Sequence, residues 1–207
     1  MSKVLQAKHK LSRCLQATIW DNTKNTYEKR NYKPGQHGPL SKTKLSDYGL
    51  HLQAKQRLKA HYGGPRITEK QFRNLFALAR SKKGNTENVF IGLLESRLDV
   101  VIYRLGIAKT IFAARQIVGH SHVKVNGKKL NIPSYRLKIG DIISLKDASR
   151  NIPVIQESVS EKRAVPEYLS FDSDKMEGQF LRMPHDLAEV RLPFEADIRR
   201  IVELYSH

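Results

Sequence analysis

An α+β fold, helical through its first half and followed by a small sheet, is what this sequence predicts, on three observations. Apolar residues recur at helical spacing from Thr68 to Val118, as at Phe72, Leu75, Phe76 and Ala79. The period then switches to two in Val123-Lys124-Val125 and Lys128-Lys129-Leu130, around Asn126-Gly127, the strongest short-range hairpin signal. Strand-like pieces return at Tyr168-Leu169-Ser170-Phe171 and Gly178-Gln179-Phe180, between turn residues. With 207 residues and 40% hydrophobic composition, the chain holds one medium or two small domains around a lean core.

Residues 1–45 sustain no period and read as a basic, irregular arm. Within it, Lys33-Pro34-Gly35-Gln36-His37-Gly38-Pro39 predicts a turn, because Pro34 fixes φ and Gly35 permits a positive one. Such a turn either offers Lys33, Gln36 and His37 to phosphate or is structural, with incidental polarity. Ser46-Asp47 opens a helix that runs to about His61, with Gly63-Gly64-Pro65 as its stop. On it Lys55 and Lys59 project near Tyr48 and Leu52, a mixture that suits RNA contact or a solvated face. Thr68 and Gln71 make a capping box for the next helix. Its apolar stripe is core, and Arg73, Arg80, Lys82 and Lys83 are its wet side.

Asn85-Thr86 starts a helical run that passes through Arg97-Leu98-Asp99 and Arg104 and ends at Gly106. A second short helix spans Thr110 to Val118. Ile111, Ala114, Ile117 and Val118 share one side of it, with Arg115 and Gln116 on the opposite flank. The hairpin follows, then a strand over Asp141–Leu145. Lys109, Arg115, His120, His122, Lys124 and Lys128 gather near the junction of helices and strands, which makes a compact basic module.

The net charge is +17, from 37 Lys and Arg against 20 Asp and Glu. It is spread unevenly. Residues 1–90 hold 19 basic and 5 acidic side chains, residues 91–150 hold 11 and 4, and residues 151–207 reverse to 7 and 11. A surplus of this size repels itself unless a polyanion neutralises it, so nucleic acid is the first partner and an anionic membrane surface a distant second. No apolar run approaches the roughly 20 residues of a membrane span, and no membrane partner is expected. Met1 to Trp20 contains no acid and carries Lys3, Lys8, Lys10 and Arg13, which loosely mimics a mitochondrial presequence. A basic arm that folds onto RNA is the favoured reading, because the same charge pattern continues well past it.

No catalytic site is expected. The chain has no Walker-type phosphate loop, no dinucleotide fingerprint after a strand and no nucleophile elbow. Cys14, the single cysteine, rules out an internal disulfide or a multi-cysteine metal site. His120 and His122 could share a face as metal ligands, but no third ligand stands beside them, so neither metal nor cofactor is expected. Asp172 and Asp174 read as turn residues.

Several stretches in order resemble small-subunit ribosomal protein four of the bacterial or organellar type, over nearly the whole chain. They are Pro34-Gly35-Gln36-His37-Gly38, Leu45-Ser46-Asp47-Tyr48-Gly49, Gln71-Phe72-Arg73-Asn74, Lys83-Gly84-Asn85-Thr86, Leu94-Glu95 and Arg97-Leu98-Asp99. The series continues with Tyr103-Arg104, Ala114-Arg115-Gln116, Val125-Asn126-Gly127, Ile132-Pro133-Ser134-Tyr135, Lys175-Met176-Glu177-Gly178 and Ile201-Val202-Glu203-Leu204-Tyr205-Ser206. Each piece alone is weak; the ordered set is specific. Thr110–Gln116 looks alphaproteobacterial.

The resemblance implies a structural constituent of the small ribosomal subunit, on a cytoplasmic or organellar ribosome. It implies a primary binder of small-subunit ribosomal RNA that grips a multi-helix junction of the 5′ domain and nucleates assembly of the subunit body. It also implies contact with neighbouring small-subunit proteins, notably protein five, and with mRNA on the side where it enters, with an effect on decoding accuracy. RNA contacts are implied at Arg97, Arg115, His120, His122, Lys124 and the Asn126-Gly127 turn. Arg104 joins these as a candidate.

The organisation expected is a basic arm over 1–45, a helical domain over 46–94, an RNA-binding module over 95–154, and a C-terminal segment over 155–207 that packs back on the body. Two departures stand out. Many relatives carry a four-cysteine zinc site in the arm, which a lone Cys14 cannot form, and many have Arg where Ile111 stands. The module is expected to read RNA shape and phosphates, with affinity falling steeply in salt. Pseudouridine synthases carry a similar module, and Arg97-Leu98-Asp99 echoes their catalytic tripeptide, but no room remains for their catalytic domain. A free RNA-binding translational regulator that uses the same surface is the more serious alternative.

Overall fold

The structure, a computed structural model, describes residues 7–21, 26–40, 44–63 and 66–206. Lys3, Gly64 and Pro65, named above, lie outside them. The fold is α+β, and it divides into two compact units. One comprises residues 1–74 and 191–207, the other residues 75–190.

The first unit is helical. Where an irregular arm was expected, its described part contains α1 (Lys8–Leu15) and the single turn α2 (Thr26–Lys29). The α1 helix ends at Gln16, whose left-handed backbone (φ 51°) turns the chain so that Ala17 N–H reaches the Ser12 carbonyl. Leu15, Ala17 and Ile19 then bury against Ala60, with Leu11, Trp20 and Phe194 packed beside them. Eight residues with two leucines are too short for a period to show, and tertiary packing makes the helix.

The Pro34–Gly38 turn forms as the sequence expects, with Gly38 N–H on the Gly35 carbonyl. A Cβ at Gly38 would overlap the Lys33 carbonyl, which explains the glycine there. The long helix α3 (Asp47–Gly63) starts behind Ser46, whose hydroxyl accepts from Gly49 N–H at 3.3 Å. The helix α4 (Glu69–Ser81) opens with the expected capping box: Gln71 N–H donates to Thr68 Oγ1, and Thr68 N–H to Gln71 Oε1. The last helix of the chain, α10 (Ile198–Ser206), lies against α3.

In the second unit the long helical run of the sequence is two helices, α5 (Thr86–Glu95) and α6 (Leu98–Arg104). The break falls at Ser96-Arg97, where Arg97 is extended. Residues 133–137 supply the hydrogen bonds that a continuous helix would have made. Leu98 N–H donates to the Tyr135 carbonyl, Asp99 N–H to that of Pro133, and Leu137 N–H to that of Ser96. Competing main-chain partners, distant in sequence, override a strong local pattern.

Gly106 (φ 77°) ends α6, and α7 (Ile111–Gly119) begins behind Thr110, whose hydroxyl accepts from Ala113 N–H. Strands β1 (Val123–Val125) and β2 (Lys128–Leu130) form the expected hairpin. Asn126 (φ 49°) and Gly127 (φ 77°) are both left-handed in its two-residue turn. Strand β3 (Ile142–Leu145) pairs with β1, and β5 (Glu177–Phe180) pairs with β3 and with β4 (Leu169–Asp172). The antiparallel sheet therefore runs β2-β1-β3-β5-β4. Its inner residues Val123, Val125, Ile143, Leu145, Leu169 and Phe180 close on Leu98, Val101, Ile102, Ala114 and Val118 of α6 and α7. Between β3 and β4 lie α8 (Asp147–Arg150) and α9 (Pro153–Ser160), which the sequence reading lacked.

Candidate nucleic-acid interface

The exposed flank of α7, the hairpin and the outer sheet face present a cluster of basic side chains in the second unit. Arg115 projects from α7 with a quarter of its side chain exposed, and its Nη1 lies 3.2 Å from Asp99 Oδ2. Asp99, 1% exposed, also holds Arg97 in a bidentate grip, Nε to Oδ1 at 3.0 Å and Nη2 to Oδ2 at 2.8 Å. One buried carboxylate thus serves two guanidiniums, and only the Arg115 one reaches the surface.

Arg97 and Arg104, both expected at the interface, are buried. Arg104 pairs bidentately with Glu95, Nε to Oε2 at 3.1 Å and Nη2 to Oε1 at 2.8 Å. Tyr168 donates its hydroxyl to the same carboxylate at 2.8 Å. Burial, and then the Glu95 charge, push the Tyr168 phenol well above its ordinary pKa, so it stays a donor. These two arginines are committed internally, Arg97 to Asp99 at the start of α6 and Arg104 of α6 to Glu95 at the end of α5.

In the first unit, Lys55 is likewise buried. Its Nζ lies 2.8 Å from Glu69 Oε1, Lys59 takes Oε2 at 3.0 Å, and Tyr205 donates to Oε1 at 2.8 Å. Burial alone would raise the Glu69 pKa, but hydrogen bonds from Lys55, Tyr205 and Lys59 outweigh it and hold it at about 2. Gln36, His37 and Arg73 are exposed; Lys33 is half-buried and its carbonyl accepts from Arg13 Nη2.

The remaining candidates lie in the second unit. Lys82 and Lys83 are exposed just past α4. Lys109 bridges Glu157 (2.7 Å) and Glu161 (2.9 Å), and those hydrogen bonds, Glu157 first, raise its pKa. His120 is exposed beside His122, whose Nδ1 and Ser149 Oγ are hydrogen-bonded at 2.8 Å. Burial, then the charges of His120 and Lys146, hold the His122 imidazole below its ordinary pKa, so the ring is neutral near pH 7. Asn126 spends its side chain on the fold: Nδ2 donates to Asp141 Oδ1 (2.8 Å), and Oδ1 accepts from Ile142 N–H (2.9 Å).

Lys124 and Lys128 stand on the hairpin, Lys124 within 3.7 Å of Asp147. The hairpin register sets Lys129 directly across from Lys124, on the outer face. Lys146 follows β3 close by. Partial desolvation, then the charges of Lys129 and Lys124, lower its pKa. Lys129 and Lys146 were not among the residues expected, although the two-residue period around Asn126-Gly127 already puts 124 and 129 on one face.

Among the described residues, no group of three or more His, Cys, Asp or Glu is placed to hold a metal ion, and Cys14 is exposed and free. No helix among them is long and apolar enough to cross a membrane.

The family described as Ribosomal protein S4/S9 N-terminal domain matches residues 3–95, and the S4 domain matches residues 96–143. Small ribosomal subunit protein uS4 of Rickettsia massiliae is 56% identical over the full length of both chains, as is that of Rickettsia prowazekii. The same protein of Rickettsia bellii is 54% identical over the same span. With two family models matched in order over residues 3–143 and more than half of all positions shared with the Rickettsia relatives end to end, the chain belongs to the uS4 family of small ribosomal subunit proteins.

Proposed function

We propose that the chain binds small-subunit ribosomal RNA as a primary binder, gripping a multi-helix junction of the 5′ domain and nucleating assembly of the subunit body. The observation that carries this reading is the basic face of the second unit. Arg115 rises from a buried carboxylate on one flank of α7, and Lys124, Lys129 and Lys146 converge on the sheet. Arg115 is preorganised to fork onto phosphate oxygens, a geometry that lysine does not reproduce. The lysines act as point charges that neutralise phosphates and release counterions. Such a surface reads shape and phosphate position, as A-form RNA demands.

The contact residues proposed are Arg115, His120, His122, Lys124, Lys128, Lys129 and Lys146, with Gln36, His37, Arg73, Lys82 and Lys83 outside the module. Arg97 and Arg104 serve from the interior, and Asn126 acts by fixing the hairpin. Contact with small-subunit protein five and with mRNA where it enters, and an influence on decoding accuracy, belong to the same proposal.

The test is sedimentation of cell lysate on a sucrose gradient after a high-salt wash, with this chain followed by antibody. Retention in the small-subunit fractions through the wash supports an integral RNA-gripping role. Release into the light fractions overturns it and favours a free RNA-binding regulator.

A further inference from the structure

A groove of about 220 Å³ lies in the second unit between α7 and the segment Ile152–Ile155, and nothing above uses it. Its walls are aliphatic: Ala113 and Ile117 come from α7, Ile152 and Ile155 from the other side, and Val154 stands 56% exposed at the rim. The imidazoles of His120 and His122 line it as well, ring centroids 6.0 Å apart and planes tilted by 51°. Gln116 also lines it and is exposed, and among the described residues its carboxamide has no hydrogen-bond partner.

Three properties limit what could occupy this space. It is smaller than the roughly 300–1,000 Å³ of sites that take drug-sized ligands, and it suits a single flat ring system. Basic groups predominate around it: Lys146 is near enough to His122 to depress its pKa, and Lys124 stands on the neighbouring strand, where it shares Asp147 with Arg150. The nearest acids of α9, Glu157 and Glu161, are occupied by Lys109. An apolar slot with aromatic rings, a free carboxamide and a positive rim is complementary to a base carried on a phosphate backbone. Single-stranded or bulged RNA is recognised in this way, through bases that leave the stack and lie on aromatic side chains, histidine included.

We propose that this groove receives one unstacked nucleobase of the RNA that the chain binds. The base lies against the His120–His122 pair and the aliphatic walls, and its edge hydrogen-bonds to the Gln116 carboxamide. This rests on the RNA-binding function proposed above and adds a base contact to a surface otherwise suited to phosphate. His122 lines the groove with its Nδ1 held by Ser149, and burial, then the charges of His120 and Lys146, keep its pKa below the ordinary value.

The experiment uses the full chain and a transcript of the small-subunit RNA 5′ domain. It measures affinity across a salt series together with 2′-hydroxyl acylation at each nucleotide. Ala113→Trp fills the groove, and Gln116→Ala removes the free carboxamide at an exposed position that no packing depends on. Loss of one stacked base is expected to weaken binding about tenfold in Ala113→Trp. The slope of log affinity against log salt stays that of the wild type, since no phosphate contact is lost. One nucleotide, the same in both variants, loses the reactivity that the wild-type protein induces.

Wild-type affinity and an unchanged acylation pattern in both variants would overturn the proposal. It also fails if RNA binding is intact while a neighbouring protein drops out of the reconstituted subunit, since the occupant is then a protein side chain. Should Ala113→Trp not fold by circular dichroism, Gln116→Ala decides alone. If the wild-type chain does not bind the transcript, the RNA-binding function falls first, and this contact with it.

Discussion

With 1% of its side chain exposed, Asp99 is engaged by two guanidiniums, Arg97 and Arg115. Arg115→Ala removes the outer one and leaves the bidentate Arg97 pair in place. RNA affinity is expected to fall by about 1–3 kcal/mol and the salt slope by about one, with thermal stability nearly unchanged. A filter-binding titration at several salt concentrations checks this, and an unchanged slope would put Arg115 off the RNA. Arg104→Ala acts on the opposite quantity. It deprives the fully buried Glu95 of its guanidinium and is expected to cost about 3–5 kcal/mol of stability, read from the urea midpoint. The sequence marks Arg115 as an RNA contact but gives no sign of the internal role of Arg104. Glu95 and Arg104 are nine positions apart, but Tyr168, which completes the site, is 73 positions from Glu95, and no spacing rule connects them. A positive side chain in a basic stretch reads as surface until its partner is seen.

The contacts of Glu69 connect three helices, since its carboxylate at the start of α4 receives Lys55 and Lys59 from α3 and Tyr205 from α10. Its pKa of about 2 lies below the unfolded value of roughly 4.3, so the folded state gains from its ionisation. That gain is complete above about pH 4.3 and is lost as pH falls towards 2. Glu69→Gln is therefore expected to flatten the decline of the urea midpoint between pH 4.5 and 2.5, and an undiminished decline would refute the assignment. In the hairpin, Asn126→Ala loses both a left-handed-tolerant residue and the bonds to Asp141 and Ile142. A cost of about 1–2 kcal/mol is expected, with faster hydrogen exchange at the Ile142 amide as the local signature. The hairpin and the capping box were legible because a few adjacent residues decide them. By contrast, α1, the α5–α6 break and α9 depend on partners far along the chain; of these only Pro153 at the first turn of α9 left a local mark.

Across the whole molecule, salt has two opposed effects. A net charge of +17 destabilises the compact chain through self-repulsion, while the same charge drives association with a polyanion. Raising ionic strength from about 0.05 to 0.5 M is expected to lift the thermal midpoint of the free protein while it lowers RNA affinity. Calorimetry and binding isotherms on one preparation check this, and a midpoint that falls with salt would mean that attractive ion pairs outweigh the repulsion. The uS4 family consists of structural ribosomal proteins rather than enzymes, so charge placement and shape carry the function. The pairing of β5 with β3 has a consequence for synthesis. The middle strand of the sheet finds its second neighbour only when residues 177–180 have been made, some 35 positions after it. Until then a nascent chain that already holds α6, α7 and the hairpin carries β3 paired to β1 on one side only, its other edge open to wrong pairing. Premature termination between residues 146 and 176 would thus yield an adhesive fragment rather than a smaller RNA-binding protein.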